Sequence, residues 1–116
     1  MRRFLFLGAF AGFLISQDAY AESILVPSDS KASYEALSVK KLDNNQVKIV
    51  TKRIGSSGES YSKRLVDCNS MTFKYLGDGD TLDEMEASKP SPNMSELVSG
   101  SISDVVSRYA CSKVSK

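Results

Sequence analysis

Apolar and polar residues alternate with the period of a β-strand over most of this chain and with the period of a helix near its end. Residues 46–54 are rich in β-branched side chains, and residues 71–76 alternate apolar and polar positions, as half-buried strands do. Gly, Asn, Asp and Ser clusters between such runs indicate turns. The predicted strands cover residues 23–26, 32–37, 46–54, 60–68, 71–76 and 81–86. Short connections between them predict an antiparallel meander.

The longest helical pattern runs from Asn93 to Cys111, where apolar residues recur at three- and four-residue intervals. They are Met94, Val98, Ile102, Val105, Val106 and Tyr109. The residues predicted to face solvent are Ser99, Ser103, Asp104 and Ser107. Asn93 and Glu96 have the spacing of an N-terminal cap. Because Cys111 falls opposite the apolar stripe, we expect the helix to unwind near residue 110 so that this cysteine turns inward.

Residues 1–21 have the composition of an export signal. Two arginines precede a short apolar run over residues 4–15, and residues 19–21 read Ala-Tyr-Ala, which fits a cleavage site. A retained anchor is the alternative, but the run is shorter than a normal membrane span. We expect residues 22–116 to form one exported domain with no stable membrane insertion. No cysteine near the cleavage point could accept a lipid, so the protein is predicted to be periplasmic or secreted and not lipid-anchored.

Cys68 and Cys111 are the two cysteines of the chain. In an oxidising compartment they have one intramolecular pairing, and two free or intermolecularly bonded thiols are the alternative. Their bond would fasten the last helix to the sheet. The predicted fold is therefore α+β, with an antiparallel sheet of five to six strands and one C-terminal helix packed on one face and held by one disulfide.

The alternation of residues 60–68 assigns faces to that strand. Arg64 and Val66 share the face of Cys68, which should look at the helix, while Tyr61 and Lys63 share the other face. We expect Arg64 to reach past the edge of the helix, with its stem buried and its guanidinium in water.

The side chains that carry most enzyme chemistry are scarce in this sequence. It has no histidine, and both cysteines are assigned to a disulfide, which removes the usual acid–base, metal-ligand and thiol-nucleophile options. Catalysis by a lone lysine or carboxylate stays open. We predict a non-enzymatic protein without a cofactor or a metal. The acidic segment from Asp78 to Glu84 offers oxygen ligands for calcium, but its spacing does not match an EF-hand.

The formal net charge of +1 does not favour a nucleic-acid partner. Basic residues on neighbouring strands nevertheless predict a patch that would bind an acidic protein or a polyanion. The patch consists of Lys48, Lys52, Tyr61, Lys63 and Arg64. The alternative is an ordinary solvated sheet surface.

The order of the elements and the positions of the two cysteines carry a family resemblance. The matching segments are Tyr34 to Lys41, Asp43-Asn44-Asn45 leading into Val47 to Val50, Tyr61 to Cys68, and a terminal helix ending in Tyr109-Ala110-Cys111. Together they resemble the surface-adhesin protein E family of bacterial envelope proteins. The resemblance implies a sheet of about six antiparallel strands with the C-terminal helix tethered across its concave side by the disulfide.

The same resemblance implies adhesion to host extracellular-matrix or plasma proteins, often as dimers. It favours a non-enzymatic binding protein of the bacterial envelope, adhesin-like toward such host proteins. The alternative is a soluble periplasmic accessory or inhibitor protein that binds an enzyme or a secretion component.

Overall fold

The computed structural model describes residues 21–114. Its strands are β1 (Glu22–Ile24), β2 (Ser33–Lys41), β3 (Gln46–Gly55), β4 (Gly58–Asp67), β5 (Thr72–Gly79) and β6 (Ser95–Glu96), and its α-helices are α1 (Leu82–Ala87) and α2 (Ile102–Val114). A 3₁₀ turn at Pro27–Asp29 links the first two strands. Residues 1–20 of the predicted export signal, which covers residues 1–21, lie outside the described part of the chain.

The six strands form one sheet in sequence order, and every neighbouring pair is antiparallel. The predicted meander and its α+β class are therefore confirmed. A two-residue loop between Gly55 and Gly58 joins β3 to β4, and the φ of +117° at Gly58 is one that side chains rarely adopt. Register shifts at Leu37 in β2 and at Leu76 in β5 insert one extra residue each, which bends the sheet.

One face of the sheet packs against α2, and we call it the inner face; the opposite side is the outer face. Val47, Ile49 and Val66 of the inner face are completely buried, together with Val106 and Ala110 of the helix. Removal of this apolar surface from water is the main force that holds the helix to the sheet.

The predicted helix from Asn93 is wrong in its first half. Ser95 and Glu96 pair with β5 as a short edge strand. The helix begins only at Ile102, because Gly100 has a φ of +80° and the hydroxyl of Ser101 accepts a hydrogen bond from the Asp104 N–H at 3.1 Å. Asp104 in turn accepts one from the Gly100 N–H at 2.9 Å. This reciprocal cap, and not Asn93, sets the start of α2.

The predicted solvent face of the helix is also wrong. Ser103, Asp104 and Ser107 are buried, whereas Met94 and Val98 of the predicted apolar stripe are 36% and 72% exposed. Both exposed residues precede α2. The predicted stripe therefore combined residues of the helix with residues of the segment before it, which is not helical. Small hydroxyl side chains at the buried positions leave room for the residues of the inner face beneath the helix.

The disulfide between Cys68 and Cys111 is formed, with the two sulfur atoms 2.05 Å apart and the Cα atoms 5.8 Å apart. Contrary to the expectation of unwinding near residue 110, α2 remains helical to Val114. Since Cys111 follows the buried Ala110 by one residue, it lies at the flank of the buried face and reaches Cys68 without unwinding.

Residues 81–86, predicted to be a short acidic strand, belong instead to the helix α1 and its cap. The Thr81 hydroxyl accepts a hydrogen bond from the Glu84 N–H at 3.1 Å, and the Glu84 carboxylate accepts one from the Asp80 N–H at 2.8 Å. This capping box outweighs the alternation of side chains. The helix lies so close to β5 that a Cβ at Gly77 would collide with the carbonyl oxygen of the buried Met85.

Candidate binding surface

Four of the five residues of the predicted basic patch share the outer face. Lys48 lies between the buried inner-face residues of β3, so its own side chain belongs to the outer face. Lys52 is directly opposite Tyr61, and Lys63 is directly opposite Val50. Directly opposed residues of antiparallel strands project to the same side of a sheet. The strand register therefore brings the four together.

Acidic residues partly neutralise this cluster. Lys52 Nζ lies 3.5 Å from the Glu59 carboxylate, and Lys63 Nζ lies 2.7 Å from the Glu86 carboxylate. The Tyr61 hydroxyl also donates to Glu59, at 3.1 Å. Such solvent-exposed ion pairs contribute little to stability. They do leave Lys52 and Lys63 with less excess positive charge for a partner.

Arg64 lies on the inner face and is only 3% exposed. The expectation that its guanidinium reaches water is therefore wrong. Its Nε donates to the Ser103 hydroxyl at 3.1 Å, and its two terminal nitrogens donate to the hydroxyls of Thr51 at 3.3 Å and Tyr75 at 3.1 Å. The Tyr75 ring centroid lies 4.8 Å from the guanidinium carbon, which adds a cation–π contact.

These contacts give Arg64 a structural position beneath α2. Among residues 21–114, no carboxylate lies within 4.0 Å of its guanidinium. Three neutral hydroxyls and one ring take the place of a counter-ion. A residue buried in this way is not part of the outer surface, so the candidate patch retains Lys48, Lys52, Tyr61 and Lys63.

A row of lysines on the outer face was missed by sequence reasoning. Lys40 is directly opposite Lys48, Lys48 is opposite Leu65, and Leu65 is opposite Lys74. We call Lys40, Lys48 and Lys74 the lysine row. Within the described range of the chain none of the three forms an ion pair. The row was missed because the second predicted strand ended at residue 37, three residues before Lys40.

The lysine row concentrates positive charge around an apolar centre. Like charges directly opposite each other on a sheet repel, and Lys40 and Lys48 are such a pair. Leu65 is half-buried between Lys48 and Lys74, and Val50 is half-buried on the same face beside Lys48. A bound carboxylate would relieve the repulsion, and an apolar side chain beside it would cover the half-buried leucine and valine.

The acidic segment contributes to a shallow cleft at the far end of the outer face. Its volume is about 250 Å³, and it is lined by Glu59, Tyr61, Asp80, Thr81, Leu82 and Asp83. Over residues 21–114, no three carboxylates, cysteines or histidines approach one another closely enough to hold a metal ion. The Glu84 carboxylate, which the calcium hypothesis needed, is engaged in the cap of α1.

A second polar cluster fixes the beginning of the domain. Asp29 accepts hydrogen bonds from the Tyr34 hydroxyl at 2.6 Å and from Arg53 Nε at 2.8 Å. Mainly the Arg53 hydrogen bond, and then that of Tyr34, lowers the pKa of Asp29. Burial and the bond to Asp29 raise the pKa of Tyr34, so its hydroxyl stays protonated and is a poor nucleophile near neutral pH. The cluster ties the 3₁₀ turn to β2 and β3.

No helix in residues 21–114 is long and apolar enough to cross a membrane. Comparison of the chain with models of known protein families, with curated proteins and with solved structures gives no significant match.

Proposed function

We propose that this protein is a non-enzymatic, exported binding protein of the bacterial envelope whose outer sheet face binds an acidic protein. The observation that carries the proposal is the lysine row, three cations on a sheet face that α2 does not cover. Leu65 supplies apolar contact area between two of those cations, and Val50 supplies more beside them. A surface that combines positive charge with half-buried aliphatic side chains fits a protein better than a small inorganic anion.

Export is supported by three features. The signal-like composition of residues 1–21 and the disulfide both suit an oxidising compartment outside the cytoplasm. The resemblance to the surface-adhesin protein E family adds the bacterial envelope as the setting. In this proposal the protein is periplasmic or secreted, and the acidic partner is a host matrix or plasma protein.

The alternative partner is an enzyme or a secretion component inside the periplasm. It would use the same lysine row, so the surface alone does not separate the two versions. Protease treatment of whole cells does, because an adhesin is digested from outside and a periplasmic accessory protein is protected.

The binding proposal is tested with two charge-reversal variants of the exported protein, Lys48→Glu and Lys89→Glu. Lys48 belongs to the lysine row, whereas Lys89 lies in the exposed connector after α1 and is the matched control. The proteins are immobilised and exposed to matrix proteins, plasma proteins and envelope extracts. We expect Lys48→Glu to lose the partner that the control retains, and added salt to weaken retention. Equal retention by both variants would overturn the proposal.

A further inference from the structure

The outer edge of β2 is only partly covered. β1 pairs with Tyr34, Glu35 and Ala36, but β2 continues to Lys41. Among residues 21–114, the part of β2 from Ser38 to Lys41 therefore has a strand on one side only, the side of β3. We call residues 38–41 the open edge. Backbone donors and acceptors on the uncovered side are available to another strand.

The opposite edge of the sheet is formed by β5. β6 pairs with the beginning of β5, and the Ser91 N–H donates to the Tyr75 carbonyl at 2.8 Å. Farther along, α1 lies on the outer-face side of Gly77 and Gly79, which are opposite Lys63 and Tyr61, and not along the edge itself. The edge of β5 is therefore paired at Thr72, Phe73 and Tyr75, and the open edge of β2 is the one that carries a lysine of the lysine row.

The side chains of the open edge indicate what kind of strand would fit. Val39 is opposite the buried Ile49 and packs against the core, so it belongs to the inner face. Lys40 is opposite Lys48 and belongs to the outer face. An added strand would place alternate side chains beside these two residues. A carboxylate beside Lys40 would extend the lysine row with an opposite charge, and an apolar side chain beside Val39 would extend the core.

We propose that an extended segment of the acidic partner adds to the sheet as a strand along the open edge, with acidic and apolar side chains in alternation. This inference rests on the proposed function and specifies the partner of the same surface. Lysines at an edge commonly discourage strand pairing. Here Lys40 and Lys48 repel a basic strand, gain nothing from a neutral one, and favour a strand whose carboxylates offset their charge.

A polypeptide is favoured over a polyanion of another kind because the open edge offers backbone hydrogen-bonding groups. Strand addition satisfies those groups, whereas a sulfated polysaccharide or an anionic membrane would contact only the lysine side chains. The two possibilities differ in whether the ligand needs its own backbone N–H groups.

The test uses a fluorescent nine-residue peptide of alternating glutamate and valine and the full chain purified after export. Two control peptides have the same sequence with alternate backbone nitrogens methylated, or lysine in place of glutamate. The protein variants are Lys40→Glu, Lys40→Gln and the control Lys89→Glu, each checked for folding by circular dichroism. Binding is measured by fluorescence anisotropy, and protection of the open edge by amide hydrogen exchange.

We expect the glutamate–valine peptide to bind and to protect amides of the open edge. Lys40→Glu should weaken binding by roughly tenfold or more, the loss of about 1.4 kcal/mol or more, and Lys40→Gln by less. N-methylation and the lysine-containing peptide should each abolish binding, and Lys89→Glu should have no effect.

Other results would overturn the inference. If the N-methylated peptide binds as well as the parent, the ligand lies on the lysine side chains without joining the sheet. If heparin or anionic vesicles bind while the peptide does not, the ligand is not a strand. In both cases the proposed function is judged separately, by whether Lys48→Glu loses the envelope or matrix partner.

Discussion

Ser103 and Ser107 lie one turn apart on the buried face of α2, yet their hydroxyls are in opposite situations. Ser103 accepts the hydrogen bond of Arg64 Nε at 3.1 Å. The Ser107 hydroxyl is completely buried and has no hydrogen-bond partner within residues 21–114. Replacing either serine by alanine removes one oxygen and gains the same helix propensity, up to about 0.5 kcal/mol. The Ser103 hydroxyl also lies 3.3 Å from the Tyr75 hydroxyl, so the two variants compare a hydroxyl bonded to Arg64 and Tyr75 with a hydroxyl that has no bond.

We expect Ser103→Ala to destabilise the protein and Ser107→Ala to stabilise it. A hydrogen bond to a charged group contributes about 1.5–3 kcal/mol, so after the gain in propensity Ser103→Ala should cost about 1–2.5 kcal/mol. Ser107→Ala removes a desolvated hydroxyl that has no compensating bond and should gain about 0.5 kcal/mol or more. The free energies of unfolding of the two variants should thus differ by about 2 kcal/mol.

The measurement is urea denaturation at neutral pH with the disulfide intact, followed by far-ultraviolet circular dichroism. Equal slopes with urea in all variants would show that the change lies in stability and not in the unfolded state. Tyr75→Phe is a useful companion, because it removes the hydroxyl that Arg64 contacts at 3.1 Å while keeping the ring. If Ser103→Ala and Ser107→Ala agree within about 0.5 kcal/mol, the hydrogen bonds of Ser103 to Arg64 and Tyr75 do not stabilise the fold as we reason.

Three further predictions concern other parts of the fold. Reduction of the disulfide, which spans 43 residues, should lower the free energy of unfolding by about 4 kcal/mol in urea melts, and a loss below about 1 kcal/mol would contradict the chain-entropy estimate. Gly77→Ala should cost about 1–3 kcal/mol, because its Cβ meets the Met85 carbonyl; unchanged thermal stability would refute this. Hydrogen bonds from the Gly100 N–H and Arg108 lower the pKa of Asp104. The ionised carboxylate therefore stabilises the fold fully above the ordinary carboxyl pKa, and this contribution to the free energy of unfolding is lost as the pH falls through the lowered pKa. In Asp104→Asn the free energy of unfolding, measured in melts at several pH values, should fall less steeply as the pH is lowered. A pH dependence equal to that of the parent protein would contradict this.

The sheet could be predicted because each strand carries its own signal. β-branched residues in β3 and alternation in β5 indicate strands without knowledge of their neighbours. The extension of β2 to Lys41 could not be predicted in the same way, because Ser38, Lys40 and Lys41 are polar. Their strand conformation comes from pairing with β3. The lysine row was missed for that reason.

The start of α2 could have been predicted from the sequence. Gly100 followed by Ser101 and then Asp104 is the spacing of a cap, and it contradicts a helix that continues from Asn93. The buried face was harder to predict, since it consists partly of serines. Their burial depends on what lies beneath them, and Arg64 of a distant strand supplies the partner of one of them.

The predicted patch contained an inconsistency that alternation alone reveals. Lys63 and Arg64 are consecutive residues of one strand and must project to opposite faces. The surroundings of Arg64 could not be predicted, because Thr51, Tyr75 and Ser103 come from three separate elements.

The two faces of the sheet are electrostatically connected through Arg64. In the described structure three hydroxyls accept the hydrogen bonds of its guanidinium, where a carboxylate would have cancelled its charge. Its neighbours along β4 are Lys63 and Leu65, whose side chains point to the outer face. Because a protein interior screens less than water does, the field of the buried cation adds to that of the lysine row. The desolvation that Arg64 requires is a cost to stability, but the same uncancelled charge would strengthen the attraction of the proposed acidic strand to the outer face.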